Sequence, residues 1–558
     1  MYKDKGKLEL HELITVDSFL DNGFFIKEKF DKLLAKKAKR PKPDQSGVWD
    51  AQTASIFFNS AREIVEEEIK SKASRFSSVE WLWYLRRLPR LVFEGSLSST
   101  FGYDRTLAEV NSHIGSAKIF RRSIDIEKNQ ITYRVTPLIA RDIVRFCLAN
   151  IYLSQIHTDL RLTGKGVQYR FASKAYPERI ANTDVEEAIR LYDERNATYG
   201  GFFASSGTLV SETADDSTDY RHLILCLAIA PPDTIRPMIF EKNTRATDIE
   251  YGFIPSVLSL ERLVQLKSDY RLREADWPAE NVSAIMILLK LLLNYLVHSK
   301  GSRYSLVQFG YFIAIQEDFS SFFKAYLPIA SKIIYEALPT IKVPNSPREL
   351  FQILESFNGR SWPLRSGPIV RKMGNVVQID LFSASIQLER LLEFPRITGP
   401  LPSAKSEHFE KVVQSIINQT KWSPSSQVGN YRGRTLRLNQ QRVTDIDAIG
   451  EFNSRLLLVS CKSYIYNEEY DAGNYRVVRN IATDVENAVS DWANVINNLN
   501  RNPKGDNYDF SSYSEILGVV CTPHTFYVQI GTATDFVADK LRAAVSIFEL
   551  EAWLKDEV

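Results

Sequence analysis

Cysteine and histidine are scarce in this chain, with only 4 and 7 among 558 residues. Cys147, Cys226, Cys461 and Cys521 lie far apart. None forms a Cys-x-x-Cys pair, and the histidines nearby are too few for a zinc site. Reduced thiols in a cytoplasmic protein are the expected state. Long apolar runs are also missing. The most apolar stretch, residues 282–297, is interrupted by Lys290 and Asn294, so it reads as a buried helix ended by Ser299-Lys300-Gly301 and not as a membrane span. The opening MYKDKGKLELHEL has no apolar centre of the kind a signal peptide needs. A strong charge of either sign is absent: 70 Lys and Arg against 68 Asp and Glu leave a net +2. Any contact with nucleic acid must therefore be local. Gly164-Lys165-Gly166 lacks the flanking residues of a phosphate-binding loop, and Ser205-Ser206-Gly207 lacks those of a nucleophile elbow.

The length calls for more than one core, and the 44% hydrophobic content is that of a folded protein. Residues 1–50 read as an N-terminal arm and linker, because 33–47 form a basic, proline-bearing run. Residues 51–400 read as a mainly helical (α+β) recognition or regulatory region of one or two subdomains. Helices are expected over 138–153, 184–196, 256–266, 311–338 (broken at Pro328) and 347–357. Hairpins are expected around Glu127-Lys128-Asn129 and Gly374-Asn375. In 77–93, Trp81, Tyr84, Leu85 and Leu88 recur at helical spacing, which favours a core-facing helix with Arg86, Arg87 and Arg90 on its back over a base-stacking surface. ITGPLPSAKS, residues 397–406, marks the boundary of a last domain, 404–558.

The chemistry concentrates in that domain. In VTDIDAIGEFNSRLLLVSCKSY, residues 443–464, a loosely alternating strand, a polar turn and a buried strand form a hairpin. Asp445 and Asp447 would share one face of the first strand, and Ser460 and Lys462 one face of the second. A carboxylate and an ammonium can then meet at the open end of the hairpin, which suits phosphodiester hydrolysis with a hard divalent ion. Upstream, Glu410 sits on an amphipathic helix with Phe409, Val412, Val413, Ile416 and Ile417 on one side. Between them, 411–444 hold Lys411, Lys421, Arg432, Arg434, Arg437 and Arg442 and no acidic residue. Such a strip is either a guide for a phosphate backbone or a solvated loop. After Lys462, a tyrosine-rich loop, a long helix over 477–499, a strand over 516–528 and a helix over 535–545 are expected.

Asp447 followed by Ser460-Cys461-Lys462-Ser463-Tyr464 resembles the PD-(D/E)xK superfamily, and within it the Mrr-like branch, over residues 407 to the C-terminus. The resemblance implies a C-terminal α/β restriction-endonuclease-like domain with a mixed central sheet flanked by helices. It also implies a Mg²⁺- or Mn²⁺-dependent endonuclease acting on DNA, with RNA still open. Asp447, Glu410 and the carbonyl of Cys461 would be metal ligands, and Lys462 the catalytic cation. Ser460 departs from the family, which usually places Glu, Asp or Gln there; it would serve the site by hydrogen-bonding the metal's shell, and Glu486 or Asp484 on the following helix would have to supply the missing carboxylate. Lys421, Arg432, Arg434, Arg437 and Arg442 would contact nucleic acid. A role in restriction or anti-phage defence is what the resemblance suggests, and many enzymes of this type cut duplexes as dimers; the resemblance does not extend to the N-terminal region, which is expected to recognise substrate or a partner protein. Two alternatives remain at this point: a catalytically silent nucleic-acid-binding module on the same fold, and a protein-interaction subunit. No membrane association is expected.

Overall fold

The computed structural model describes residues 5–89, 110, 113–114, 125–127, 130–173, 176–199, 208–209, 223–230, 252–260, 279–298, 306, 309–339, 342–355, 369–393, 402–464 and 466–556. The early helices begin where a side chain takes up a free N–H. Helix α1 (Lys5–Leu13) precedes α2 (Val16–Lys37), where the Thr15 hydroxyl accepts from Ser18 N at 3.2 Å. Strand β1 (Val48–Trp49) leads to α3 (Ala51–Ala73), and Ser77 and Glu80 form a capping box for α4 (Ser78–Leu85). The hairpin β2 (Asp125–Glu127) and β3 (Gln130–Thr132) falls where the sequence placed it. Helix α5 (Pro137–Gly164) follows, then β4 (Tyr169–Arg170) and β5 (Glu178–Arg179), which pair in the order β1-β4-β5, and α6 (Thr183–Tyr199).

Two expectations fail here. Residues 33–47 are not a solvated linker: α2 runs through Lys37, the Arg40 guanidinium lies 5.0 Å over the Phe57 ring, and Trp49 Nε1 donates to Pro41 O at 3.0 Å. Leu10, Phe19 and Phe30 enter the same core as Phe57, Phe146, Leu289 and Phe382, so the supposed arm belongs to the helical region. Trp81, Tyr84, Leu85 and Leu88 are buried as their spacing implies, but Trp83, Arg86 and Arg87 are buried with them, so the arginines do not form an exposed back. Arg90 lies outside the described residues.

Next come β6 (Thr208–Leu209), β7 (Leu223–Ala230) and β8 (Gly252–Ser259), in the order β6-β8-β7. Of the helix expected over 256–266, residues 256–259 are the end of a strand, Leu260 is helical and 261–266 lie outside the described residues. Eight residues of β7 pair with β8, and that ladder outweighs a short helical spacing. Helix α7 (Ala279–His298) is deeply buried, and among the described residues no helix is long and apolar enough to cross a membrane. Strand β9 (Tyr311–Ile315) takes the first five residues of the expected 311–338 helix; α8 (Gln316–Ala337) then runs unbroken past Pro328. Phe319, Phe323 and Leu327 before the proline, and Ala330 and Ile334 after it, are buried, which offsets the proline's cost of about 3 kcal/mol. Helix α9 (Pro347–Glu355), the hairpin β10 (Val370–Met373) and β11 (Val376–Asp380), and α10 (Leu381–Glu393) complete this region, with an antiparallel sheet ordered β10-β11-β9.

The last region begins with α11 (Pro402–Asn418) and α12 (Ser426–Gly429), followed by β12 (Thr435–Leu438), β13 (Gln441–Asp445), β14 (Ala448–Phe452) and β15 (Arg455–Cys461). Then come α13 (Glu468–Asp471), α14 (Tyr475–Arg501), β16 (Glu515–Thr522), α15 (Ile530–Ala533), β17 (Phe536–Ala538), β18 (Leu541–Arg542), β19 (Ala544–Ser546) and α16 (Ile547–Asp556). The mixed sheet is ordered β14-β15-β16-β19, with β14 antiparallel to β15 and the other neighbours parallel. Alternate residues of β15 face opposite layers. Leu456 and Leu458 pack with Val485, Val489 and Trp492 of α14, and Leu457 and Val459 with Phe409 and Val413 of α11. The helix expected over 535–545 is replaced by β17, β18 and β19, because Lys540 turns the chain at φ +59° and β19 extends the sheet beside β16.

Candidate active site

The expected strand 443–450 is two strands. β13 closes a separate hairpin with β12 through Asn439 and Gln440, both at positive φ (52° and 65°), and ends at Asp445. β14 starts afresh at Ala448. Asp445 and Asp447 therefore do not share a strand face. Asp445 is engaged by the Thr435 hydroxyl and the Arg442 guanidinium within its own hairpin, and Asp447 stands alone at the mouth of β14.

Helix α11 is fixed against that strand by one amide. β14 is the outer strand of the sheet, and its open edge needs partners. Gln414 supplies both: Nε2 donates to Ile449 O at 2.9 Å, and Oε1 accepts from Ile449 N at 2.8 Å. Gly450 lets the end of α11 come close, since a Cβ there would lie 2.8 Å from Trp422 O and 2.9 Å from Ile417 Cγ2. Glu410 precedes Gln414 by one helical turn and lies on the same stripe, while Asp447 precedes Ile449 by two residues. The doubled bond thereby brings the two carboxylates to one end of the sheet.

Asp447 is held from two sides. Its Oδ2 accepts from Cys461 N at 2.7 Å, and its carbonyl accepts from Arg432 Nε at 3.2 Å. In an extended strand the N–H and C=O of one residue point to the same edge, so the Cys461 carbonyl also faces the Asp447 side. Burial raises the Asp447 carboxyl above its ordinary value; the Cys461 N–H, Lys462 and Arg432 pull it down, and Asp445 pushes it up. The Glu410 carboxyl is likewise raised, first by burial and then by the charge of Asp447, with Arg432 opposing. Burial also pushes the Cys461 thiol well above its usual value, helped by Cys521, Asp447 and Glu410, so the sulfur is a neutral packing group on the α11 face. Two half-buried carboxylates raised by desolvation, with a lysine and an arginine acting on Asp447, make this end of the sheet a candidate functional site.

The other expected site residues are spread more widely. Ser460 is 7% exposed and lies on the α14 face with Leu456 and Leu458; among the described residues its hydroxyl forms no hydrogen bond to the carboxylate pair. Glu486 Oε1 accepts from Gln529 N at 2.8 Å, and Glu486 is among the groups acting on neither Asp447 nor Glu410. Asp484 is exposed and acts on Tyr464. Lys421, Arg434, Arg437 and Arg442 are exposed, whereas Arg432 is drawn in toward Asp447. The basic strip is not a loose loop: Lys411 lies on α11, Lys421 in the turn after it, and Arg437 and Arg442 in the ordered β12–β13 hairpin. Asp506 accepts from Asn439 N at 3.1 Å and Gln440 N at 2.6 Å, Asn507 accepts from Arg437 N at 2.8 Å, and Arg437 and Arg442 stand directly opposite each other. The tyrosine-rich segment after Lys462 packs: Tyr466 and Tyr470 lie against Phe526, and Tyr470 Oη accepts from Tyr527 N at 2.8 Å.

Among the described residues no group of three or more His, Cys, Asp or Glu side chains is placed to hold a metal ion. The site instead offers two carboxylates and a backbone carbonyl, an all-oxygen set that suits Mg²⁺ or Mn²⁺ with water completing the shell. Gln414 and the inward position of Arg432 were not foreseen. The available signal for Gln414 was its place four residues after Glu410, in a polar stripe beside the Phe409, Val413 and Ile417 face. The chain matches no protein-family model, no curated protein and no solved structure.

Proposed function

We propose that the protein is a cytoplasmic, divalent-metal-dependent nuclease that hydrolyses DNA phosphodiesters, with a PD-(D/E)xK-like C-terminal domain. The observation that carries this reading is the convergence of Asp447, Glu410 and the Cys461-Lys462 strand end, with both carboxyls raised by burial. The order α11, β14, β15, α14, β16 also accords with a helix glutamate, a strand-opening aspartate and a strand-closing lysine.

Asp447 and Glu410, with the Cys461 carbonyl, would hold the ion. When bound, Mg²⁺ polarises the phosphodiester and lowers the pKa of the attacking water. The Lys462 ammonium, within electrostatic reach of Asp447, would orient that water and offset charge growing on the phosphoryl oxygens. Arg432 steadies the Asp447 backbone, and Arg434, Arg437 and Arg442 offer an exposed basic edge to the backbone of the substrate. Work in restriction or anti-phage defence, as a homodimer or with a partner on the N-terminal region, belongs to the same proposal.

The test is incubation of plasmid, linear DNA and RNA with Mg²⁺ or Mn²⁺. Wild type should cleave, and Asp447→Ala and Lys462→Ala should each lose about 100-fold or more. A second reading, a nucleic-acid-binding module without catalysis, is favoured by Ser460, which brings no charge to the site. Binding by wild type with no cleavage under any of these conditions would establish that reading instead.

A further inference from the structure

Two fully buried guanidinium groups in the N-terminal region share a single carboxylate. Arg86, at the C-terminal cap of α4, donates from Nη2 to both oxygens of Asp380, at 3.0 and 2.9 Å. Ser383 takes the remaining capacity of Asp380, its N and Oγ donating at 3.1 and 2.7 Å. A carboxylate has about four lone-pair directions, and all are now used. Arg371 Nη1 is therefore left 3.9 Å from Asp380 Oδ2, too far for a hydrogen bond.

Unpartnered donors gather on one surface. Arg371 and Gln378 are directly opposed in the β10–β11 hairpin, and Asp380 is two residues beyond Gln378, so all three share a face of the sheet. Among the described residues, Arg371 Nε, Nη1 and Nη2, Arg86 Nε and Nη1, and both amide atoms of Gln378 have no hydrogen-bond partner, so the donors outnumber the one acceptor. Arg86 and Arg371 are each 2% exposed, and Gln378 and Asp380 0%. Buried donors are nearly always paired, and a buried charge without a counter-ion is strongly unfavourable. Burial pushes the Arg371 guanidinium down to about 10, with Arg86 adding to the fall and Asp380 resisting it. Arg86 is nonetheless held in place, its guanidinium carbon 5.0 and 5.2 Å over the rings of Phe253 and Phe382. Gly310, at φ +67°, makes room for it, since a Cβ there would lie 2.9 Å from Arg86 Nη1.

The excess is one positive charge, and the unpaired nitrogens outnumber what two carboxylate oxygens accept. A phosphoryl group, with three strong acceptor oxygens and at least one negative charge even when singly ionised, supplies both the charge and the acceptors. We propose that this face of the β9–β10–β11 sheet, beneath the end of α4, binds a phosphate-class oxyanion through Arg371, Arg86 and Gln378, with Asp380 orienting Arg86. The oxyanion is either free phosphate or the phosphoryl end of a nucleotide.

The experiment uses the full chain in EDTA at constant ionic strength, so that no divalent ion engages the Asp447 site and the outcome is independent of nuclease activity. Thermal unfolding is followed against added inorganic phosphate, ATP or acetate, with chloride as the reference. Wild type should show a saturable rise in Tm with phosphate or ATP and none with acetate; a rise with ATP alone assigns the ligand as a nucleotide. Arg371→Met should lose the dependence and, in chloride, unfold no lower than wild type, because an unpaired buried charge has gone. Equal Tm in phosphate, ATP and chloride, an equal rise with acetate, or a rise that survives Arg371→Met overturns the proposal. Should the variant not fold, equilibrium dialysis decides: wild type and Arg437→Ala/Arg442→Ala should each retain about one phosphate or ATP per chain, and retention of neither overturns it.

Discussion

Asp447 carries a charge at the cost of its burial, and a cation bound as proposed would offset that cost. Its carboxyl and that of Glu410 are raised above their unfolded values, chiefly by burial, so the folded chain holds these protons to higher pH than the unfolded chain does. Their charged forms therefore lower stability at neutral pH, and the penalty fades as pH falls through the raised values. Asp447→Asn keeps an acceptor for Cys461 N–H and drops the charge. In EDTA near pH 8 the variant should melt at or above wild type, by up to about 3 °C, and the gap should close toward about pH 4. Mg²⁺ should raise the Tm of wild type alone, and cleavage should be lost in the variant. A variant clearly less stable than wild type in EDTA would make Asp447 a structural acid.

At the scale of elements, Gln414 decides whether α11 and β14 present their carboxylates together. Gln414→Leu leaves Ile449 N–H and C=O unpaired at a buried edge and should cost about 2 kcal/mol in denaturant unfolding. Gln414→Glu keeps only the acceptor and should fall between the two. Cleavage should drop in the same order through kcat, since a positioning residue does not contact substrate. Elements with sustained periodicity were legible in the sequence: α14 as a long amphipathic helix, the β10–β11 hairpin around Gly374-Asn375, and α11 with Glu410. Val537, Leu541 and Val545 mimic helical spacing; the β17–β18 pairing around Lys540 and the parallel neighbour of β19, β16, make that segment strands instead. The break at Ile446 and Asp447 left no trace in the alternation, because it comes from a second hairpin claiming Asp445. Burial of Arg86 depends on Asp380, 294 residues away, which no local pattern encodes.

At the scale of the whole molecule, the N-terminal region grips the chain where it leaves the site. Ala188, Ile189 and Tyr192 of α6 pack on Tyr470, Val478, Phe526 and Tyr527. Arg161 of α5 donates to Asp471 O at 2.7 Å, and Gly473, at φ +73°, sits so close that a Cβ would lie 2.4 Å from Arg161 Cα. Arg195 of α6 forks onto Glu549 at 2.6 and 2.8 Å and reaches Ala544 O at 3.1 Å. Burial alone would raise the Glu549 carboxyl, but Arg195 and Ser546 hold it below its ordinary value. Its contribution to stability is therefore present above the unfolded carboxylate pKa and lost as pH falls through the depressed one. Arg195→Ala leaves that carboxylate buried with only Ser546 and should cost about 3–5 kcal/mol at neutral pH, while Arg195→Met/Glu549→Leu should recover most of the loss. Gly473→Ala tests the docking without touching a charge. Wild type should unfold in one calorimetric transition, and the variant should split into two, with the segment after Lys462 cut first by protease. A single unchanged transition in Gly473→Ala would mean that the two regions do not depend on this contact for their stability.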